Sequence, residues 1–244
     1  MLRVLNFVTS FHLTCSTIRR PTVREGITAL LYFVYVNVIF YLLGLIYNSH
    51  WMVQLTTAIP HEDWMRLAFT FPAVVLQLAP LFIILKLRGE TWSSIGIKRS
   101  KIGLSLLIGL IAVLPFRWVP LMNWIFHGKS LPLDGGAVLG FLYYLTLIAL
   151  PEELIFRGYI QTRIMGLIPS KSAAILTTGL LFALTHVPFQ MAVLNLNYAG
   201  YLGKMYIQLF IIFFIHLYFT YIYTRTNNIA GVTLCHALVD FIFG

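Results

Sequence analysis

The sequence predicts an all-α membrane bundle of about seven transmembrane helices. Three observations lead there. Of 244 residues, 59% are hydrophobic and only 10% are charged, against roughly 25% charged in soluble domains. The mean hydropathy is +0.84. Apolar runs long enough to cross about 30 Å of hydrocarbon recur along the chain. The net charge of +9 would point to nucleic acid in a soluble protein. In a membrane protein it is accounted for by basic cytoplasmic loops, so membrane lipids are expected as partners and nucleic acid is not. Cys15 and Cys235 are the only cysteines and imply no disulfide framework.

Residues 1–26 form a polar N-terminal tail, with Arg3, Arg19, Arg20 and Arg24 against the single acid Glu25. Its short apolar patch is broken by Asn6, Thr9, Ser10 and His12, which suits an interfacial helix better than a signal peptide. Residues 27–244 are expected to form one transmembrane domain. Span one is placed at 27–47, followed by a polar loop to Arg66. Span two, at 67–85, contains Pro72 and Pro80, which a membrane bundle tolerates as kinks. A basic loop carries Lys86, Arg88, Lys98, Arg99 and Lys101. Span three is placed at 102–119, then a loop over 123–136. Span four is the long one, 137–164. Span five covers 172–187. Residues 188–204 are weakly apolar and are expected to be re-entrant or at the surface. Span six is placed at 205–223, a turn at 225–228, and span seven at 229–243.

Basic residues concentrate in the tail, at 86–101, at Arg163 and Lys171, and at Arg225. The other side has Arg66, Lys129 and Lys204, with Arg117 near an interface. The bias places the N-terminus in the cytoplasm.

Charges stand out against this background. Glu152, Glu153 and Arg157 lie inside span four, where each charge costs roughly 2.5–3.5 kcal/mol at the bilayer centre. Glu153 and Arg157 are four apart and share a helix face, with the acid first, the better order for a pair. Glu152 points about 100° away. The expected division is a structural Glu153–Arg157 pair and an unpaired Glu152, which suits a general base. Phe182-x-x-x-His186 ends span five, with Phe182 one turn below the histidine. His236-x-x-x-Asp240 lies in span seven, where Asp240 shares a face with His236 and can orient it. A lone intramembrane histidine or a single phenylalanine would be ordinary packing. Ionisable groups on three spans together point to a functional site. His216 has no acidic neighbour at helical spacing and is expected to be structural. No His-Glu-x-x-His helix, Gly-x-Ser-x-Gly elbow, P-loop or dinucleotide fingerprint is present.

Glu-Glu-x-x-x-Arg, Phe-x-x-x-His and His-x-x-x-Asp, in this order on successive spans, resemble the motifs of the CPBP intramembrane proteases. That family comprises the type II CAAX prenyl endopeptidases and the bacterial bacteriocin-processing, immunity or abortive-infection enzymes. The resemblance covers about residues 137–243. It implies a glutamate-dependent peptidase site in which Glu152 and His186 activate water and His236 and Asp240 stabilise the oxyanion. Glu153 and Arg157 would then hold the geometry, with Phe182 in support. The prenyl proteases carry asparagine where this chain has Asp240. An ionised aspartate cannot donate a hydrogen bond, so Asp240 must be protonated or must act by orienting His236. The resemblance favours a metal-free site with no cofactor. A catalytic zinc on Glu152, His186 and His236 is the alternative, although no local chelating pair supports it.

The expected function is thus an intramembrane endopeptidase in a bacterial cell membrane. Its partner would be a peptide or protein substrate, including a lipid-modified one, in peptide or bacteriocin processing or self-immunity. The contrasting expectation is a non-catalytic scaffold or peptide-binding immunity protein of the same fold. A degenerate binder would be expected to have lost at least one of Glu152, His186 and His236, and this chain keeps all three.

Overall fold

A computed structural model of the chain describes residues 21–58, 62–127 and 135–243. The expected tail helix, Cys15, His12, His61, Lys129 and Asp134 lie outside the described residues. Nine helices follow one another with no strand among the described residues. They are α1 (Val23–Tyr47), α2 (His50–Ala58), α3 (Glu62–Leu87), α4 (Ile102–Ala112) and α5 (Leu114–His127). Then come α6 (Gly135–Gly166), α7 (Lys171–Val193), α8 (Tyr198–Thr226) and α9 (Ile229–Phe243). Five stretches, α1, Arg66–Leu87 of α3, α6, α7 and α8, are long and apolar enough to cross a membrane; α4 and α9 are apolar but shorter. Leu31, Phe71, Leu107 and Phe210 stand on the outside of the bundle, as lipid-facing side chains do in a solvent that is itself apolar.

Local chemistry explains where the helices differ from the sequence expectation. α1 starts at Val23 rather than at 27 because Thr22 and Glu25 form a reciprocal capping box. The polar segment between spans one and two is not a loop: it contains α2 and the first turn of α3. Span three is broken at Val113, two residues before Pro115. That proline has no N–H for the carbonyl of Ile111, and its ring crowds the preceding turn. The expected 123–136 loop is helical as far as His127. The 188–204 segment is also mostly helical. α7 runs through Pro188 to Val193, Asn195 turns the chain with a left-handed φ of 50°, and Asn197 caps α8 by accepting from the Gly200 N–H at 2.7 Å.

α6 carries two π-helical turns, Tyr144–Ala149 and Leu154–Ile160, on either side of Leu150–Glu153. Pro151 cannot donate to the ladder, and the widened turn before it absorbs the missing bond. The two glutamates therefore sit on a short α segment between two irregular ones.

The bundle has two distinct ends. At one end Arg88 pairs with Glu25 at 3.2 Å. Arg163 pairs with Glu90 and donates to the Ser94 carbonyl at 3.1 Å. Asn228 donates to the carbonyls of Lys98 at 2.7 Å and Ser100 at 3.0 Å. The loop before α4 dips into this end as a 3₁₀ turn, Trp92–Ile95, with Ile95 fully buried. A Cβ at Gly158 would meet the Ile95 carbonyl, so only glycine lets the turn approach α6. The Ile229 N–H donates to the Gly96 carbonyl at 2.9 Å, which ties the start of α9 to this end. At the other end lie Tyr47, Phe69 and Phe189, in mutual edge and tilted ring contacts.

Candidate active site

The sequence-predicted residues from α6, α7 and α9 converge inside the bundle. Glu153 and Arg157 are completely buried and paired, Arg157 Nη1 donating to Glu153 Oε1 at 2.6 Å. The Arg157 guanidinium lies over two rings, 4.8 Å from Phe182 and 5.3 Å from Phe219. Desolvated contacts of this kind contribute about 2 kcal/mol each. Its Nη2 donates to the His216 carbonyl at 3.4 Å. Breaking such a buried pair from one side costs about 3–5 kcal/mol, so this cluster is a fixed floor.

His236 stands on that floor. Its Nδ1 is 2.8 Å from Glu153 Oε1, the same oxygen that accepts from Arg157. Arg157 already donates to that oxygen, so Oε1 serves as an acceptor and Nδ1 carries the proton. Its Nε2 is 3.2 Å from Asp240 Oδ2 and 3.8 Å from Glu152 Oε2. The ring packs on Phe219 with centroids 4.8 Å apart. His236 is thus clamped on one edge by Glu153, while its other edge faces two carboxylates.

His186 is held differently. Its Nδ1 lies 2.9 Å from the Phe182 carbonyl oxygen. A carbonyl can only accept, so Nδ1 bears the proton and Nε2 of the neutral ring keeps its lone pair. Phe182 shapes this corner, its ring edge-on to His186 at 5.2 Å and edge-on to Phe156 at 5.0 Å. Glu152 is within electrostatic range of His186, His236 and Asp240.

Burial separates the groups. The Glu153 and Arg157 side chains are 0% exposed, whereas Glu152 and Asp240 keep 21% and 32%. Glu152 forms part of the wall of a cavity of about 560 Å³ that also includes Phe40, Thr70, Gln77, Pro151 and Phe189. Helix α7 extends six residues past the expected end of span five, so His186 sits well below its tip. The Ile229 N–H bond to the Gly96 carbonyl fixes the start of α9 against the buried 3₁₀ turn, seven residues before His236.

Residues 134–242 match a family model described as Type II CAAX prenyl endopeptidase Rce1-like. Over this segment the chain is similar to the Rce1-like endopeptidases. The match covers the same stretch as the CPBP resemblance carried by the motifs, and the Rce1-like segment contains every residue of the cluster described above. The chain matches no curated protein and no solved structure.

Several neighbours of the site had no sequence signal of their own. Phe219, one apolar residue among many in α8, supports both His236 and Arg157. Gln161 accepts from Thr220 Oγ1 at 3.0 Å, and Thr220 lies 3.2 Å from His216 Nε2, a buried polar link between α6 and α8. His216 itself is fully buried. Among the described residues no three His, Cys, Asp or Glu side chains are arranged to hold a metal ion; His236 instead turns both nitrogens to carboxylates.

Proposed function

We propose that the protein is an intramembrane endopeptidase of the glutamate type, cutting peptides or protein tails at the membrane. The observation that carries this reading is the position of Glu152. It is the carboxylate that both faces the cavity and lies beside His236, while its neighbour Glu153 is sealed in an ion pair.

In this reading a water enters between Glu152 and His186. Glu152 takes one of its protons, and the Nε2 lone pair of His186 accepts a hydrogen bond from the other, which aims the oxygen. The oxygen bonds to the substrate carbonyl carbon, and the carbonyl π electrons move onto its oxygen. That oxyanion accepts from the Nε2–H of a charged His236, whose Nδ1–H remains on Glu153. Asp240 holds the same Nε2–H before the oxyanion forms. Glu152 then gives its proton to the amide nitrogen as the C–N bond breaks, the usual return of a general base as general acid. Preorganised donors at a developing oxyanion are worth about 2.7–4 kcal/mol each.

The apolar cavity wall supports an extended apolar peptide or a lipid-modified tail as substrate. Processing of small peptides, including bacteriocin maturation or self-immunity, is the role the resemblance suggests. The test is cleavage of a mixed peptide and prenyl-peptide library by the purified, reconstituted protein beside Glu152→Gln, both shown to fold alike. Cleavage that disappears with the single amide supports the reading. Equal cleavage by both removes Glu152 from the mechanism. No cleavage by either favours the non-catalytic peptide-binding protein of the same fold.

A further inference from the structure

We infer that the Glu152 cavity is filled from the face opposite the start of α1, so that its substrate is a peptide segment lying outside the cytoplasm. This deepens the endopeptidase reading and rests on it for the word substrate; the access route itself rests on geometry alone.

The two ends of the bundle differ in what they let through. The end holding the start of α1 is laced shut by Glu25–Arg88, Glu90–Arg163 and the Asn228 bonds to Lys98 and Ser100. Beneath these bonds lies a continuous apolar layer. Tyr32, Ile95, Phe156, Tyr159 and Ile160 are all at most 3% exposed, and the edge contact of Tyr32 with Tyr159, at 5.6 Å, ties α1 to α6. That layer separates Glu152 from this end.

The opposite end is open. From Glu152 the cavity runs past Val74 and Thr70 to Tyr47, Met52, Arg66 and Val193. Each of these belongs to the far end of its helix: the last residue of α1, the first turn of α2, the beginning of α3 and the end of α7. A second hollow of about 410 Å³ between α3 and α6 shares Arg66, Tyr143 and Leu147 with the first. Between them Thr70 Oγ1 and Tyr143 OH are hydrogen-bonded at 2.9 Å, a single neutral contact worth about 1 kcal/mol. The cavity is therefore bordered by water at its end and by a lipid-facing groove at its side, both in the same half of the bundle.

Charge orients these ends in the membrane. Lys86, Arg88, Lys98, Arg99, Lys101 and Lys171 all lie at the closed end, with Arg66 and Lys204 at the open one. The positive-inside bias puts the closed end in the cytoplasm and the mouth of the cavity on the outer side. The wall chemistry states what fits: an extended segment, apolar for several residues about the scissile bond, drawn from an exported peptide or from a chain anchored in the outer leaflet.

Cysteine labelling in intact cells of a bacterial expression host tests this without requiring cleavage. Cys15 is replaced by serine; Cys235 is buried and stays. Val74→Cys reports the cavity, Trp51→Cys its rim and Arg99→Cys the basic end. A membrane-impermeant methanethiosulfonate reagent should modify Val74→Cys and Trp51→Cys in intact cells, and Arg99→Cys only after permeabilisation. The reverse pattern overturns the inference, as does a Val74→Cys protein that stays unlabelled in both states while Trp51→Cys is modified, since the cavity then opens to water on neither face. A protein that labels as expected but cuts nothing leaves the access route standing and removes the peptidase reading. One that cuts peptides but labels in reverse does the opposite.

Discussion

Glu153 holds the Nδ1 edge of His236 at 2.8 Å while being itself completely buried. The oxygen that does so is already bound to Arg157 at 2.6 Å. One carboxylate thus ties α6 to α9 and fixes the proton of His236 on Nδ1, leaving Nε2 turned to Glu152 and Asp240. The motif Glu-Glu therefore contains two groups that differ in kind. One is locked and positions a ring; the other meets the cavity.

Glu153→Gln tests the locked group. The amide still accepts from His236 Nδ1–H, but the charge opposite Arg157 is gone. A less firmly held ring lets the donor edge of His236 drift, and misplacement of about 1 Å can cost about 10²-fold in rate, so the expected fall in turnover reaches about that factor on any peptide the wild type cuts. Glu153→Ala leaves a buried guanidinium unpaired and should lower stability by about 3–5 kcal/mol, seen as a drop in the thermal unfolding midpoint in detergent.

Asp240→Asn separates two roles for the last motif position. An asparagine amide donates without a proton being supplied. If a neutral donor serves the oxyanion, the variant should keep or raise the initial cleavage rate. If Asp240 works by holding His236 at 3.2 Å as an anion, activity should fall to background while His236→Ala adds no further loss. The double variant beside each single one reads the coupling.

The pairs within one helix were legible in the sequence because helical spacing alone brings them together. Glu153–Arg157 and His236–Asp240 both meet at four residues' separation. So was the helical membrane class, from hydropathy. Contacts between helices were not, since spacing along one helix carries no information about its neighbour. The Glu153–His236 bond joins residues 83 apart, and Phe219 has nothing to distinguish it from other apolar residues of α8. The helical state of 188–193 escaped because Pro188 signals a break in water, whereas inside a bundle neighbouring groups satisfy the freed carbonyl. The π turns around Leu150–Glu153 have no periodicity of their own to read.

Phe219→Leu probes the support under the site. The ring lies 4.8 Å from that of His236 and 5.3 Å from the Arg157 guanidinium. Leucine fills most of the volume but has no π face, so the cation contact is lost while packing is largely kept. A stability loss of about 1–2 kcal/mol is expected, from that contact and a small void. Activity should fall further than stability because His236 gains room to tilt. Cleavage rate and unfolding midpoint, measured on the same preparation, check this; a variant with full activity would show that the ring only fills space.

Gly231→Val tests how α9 is held at the height the site requires. Helices α4 and α9 cross with Gly109 against Gly231, and a Cβ at either glycine would overlap carbonyl oxygen of the other helix. Ser105 reinforces the crossing, accepting from the Gly231 N–H at 3.0 Å and donating to the Asn228 carbonyl at 3.2 Å. Small residues at such crossings let backbones approach closely in lipid, where no hydrophobic force drives helices together. A valine must push α9 outward, and neither backbone can yield to a side chain. Since His236 is five residues further along α9, a displacement of about 1 Å there is enough to spoil its bond to Glu153, and misplacement on that scale can cost about 10²-fold in rate. The expected outcome is cleavage reduced by about that factor with the helical circular-dichroism signal retained. Serine at the same position, smaller and able to hydrogen-bond, should lose less than valine, and equal losses for the two would separate the effect from side-chain size.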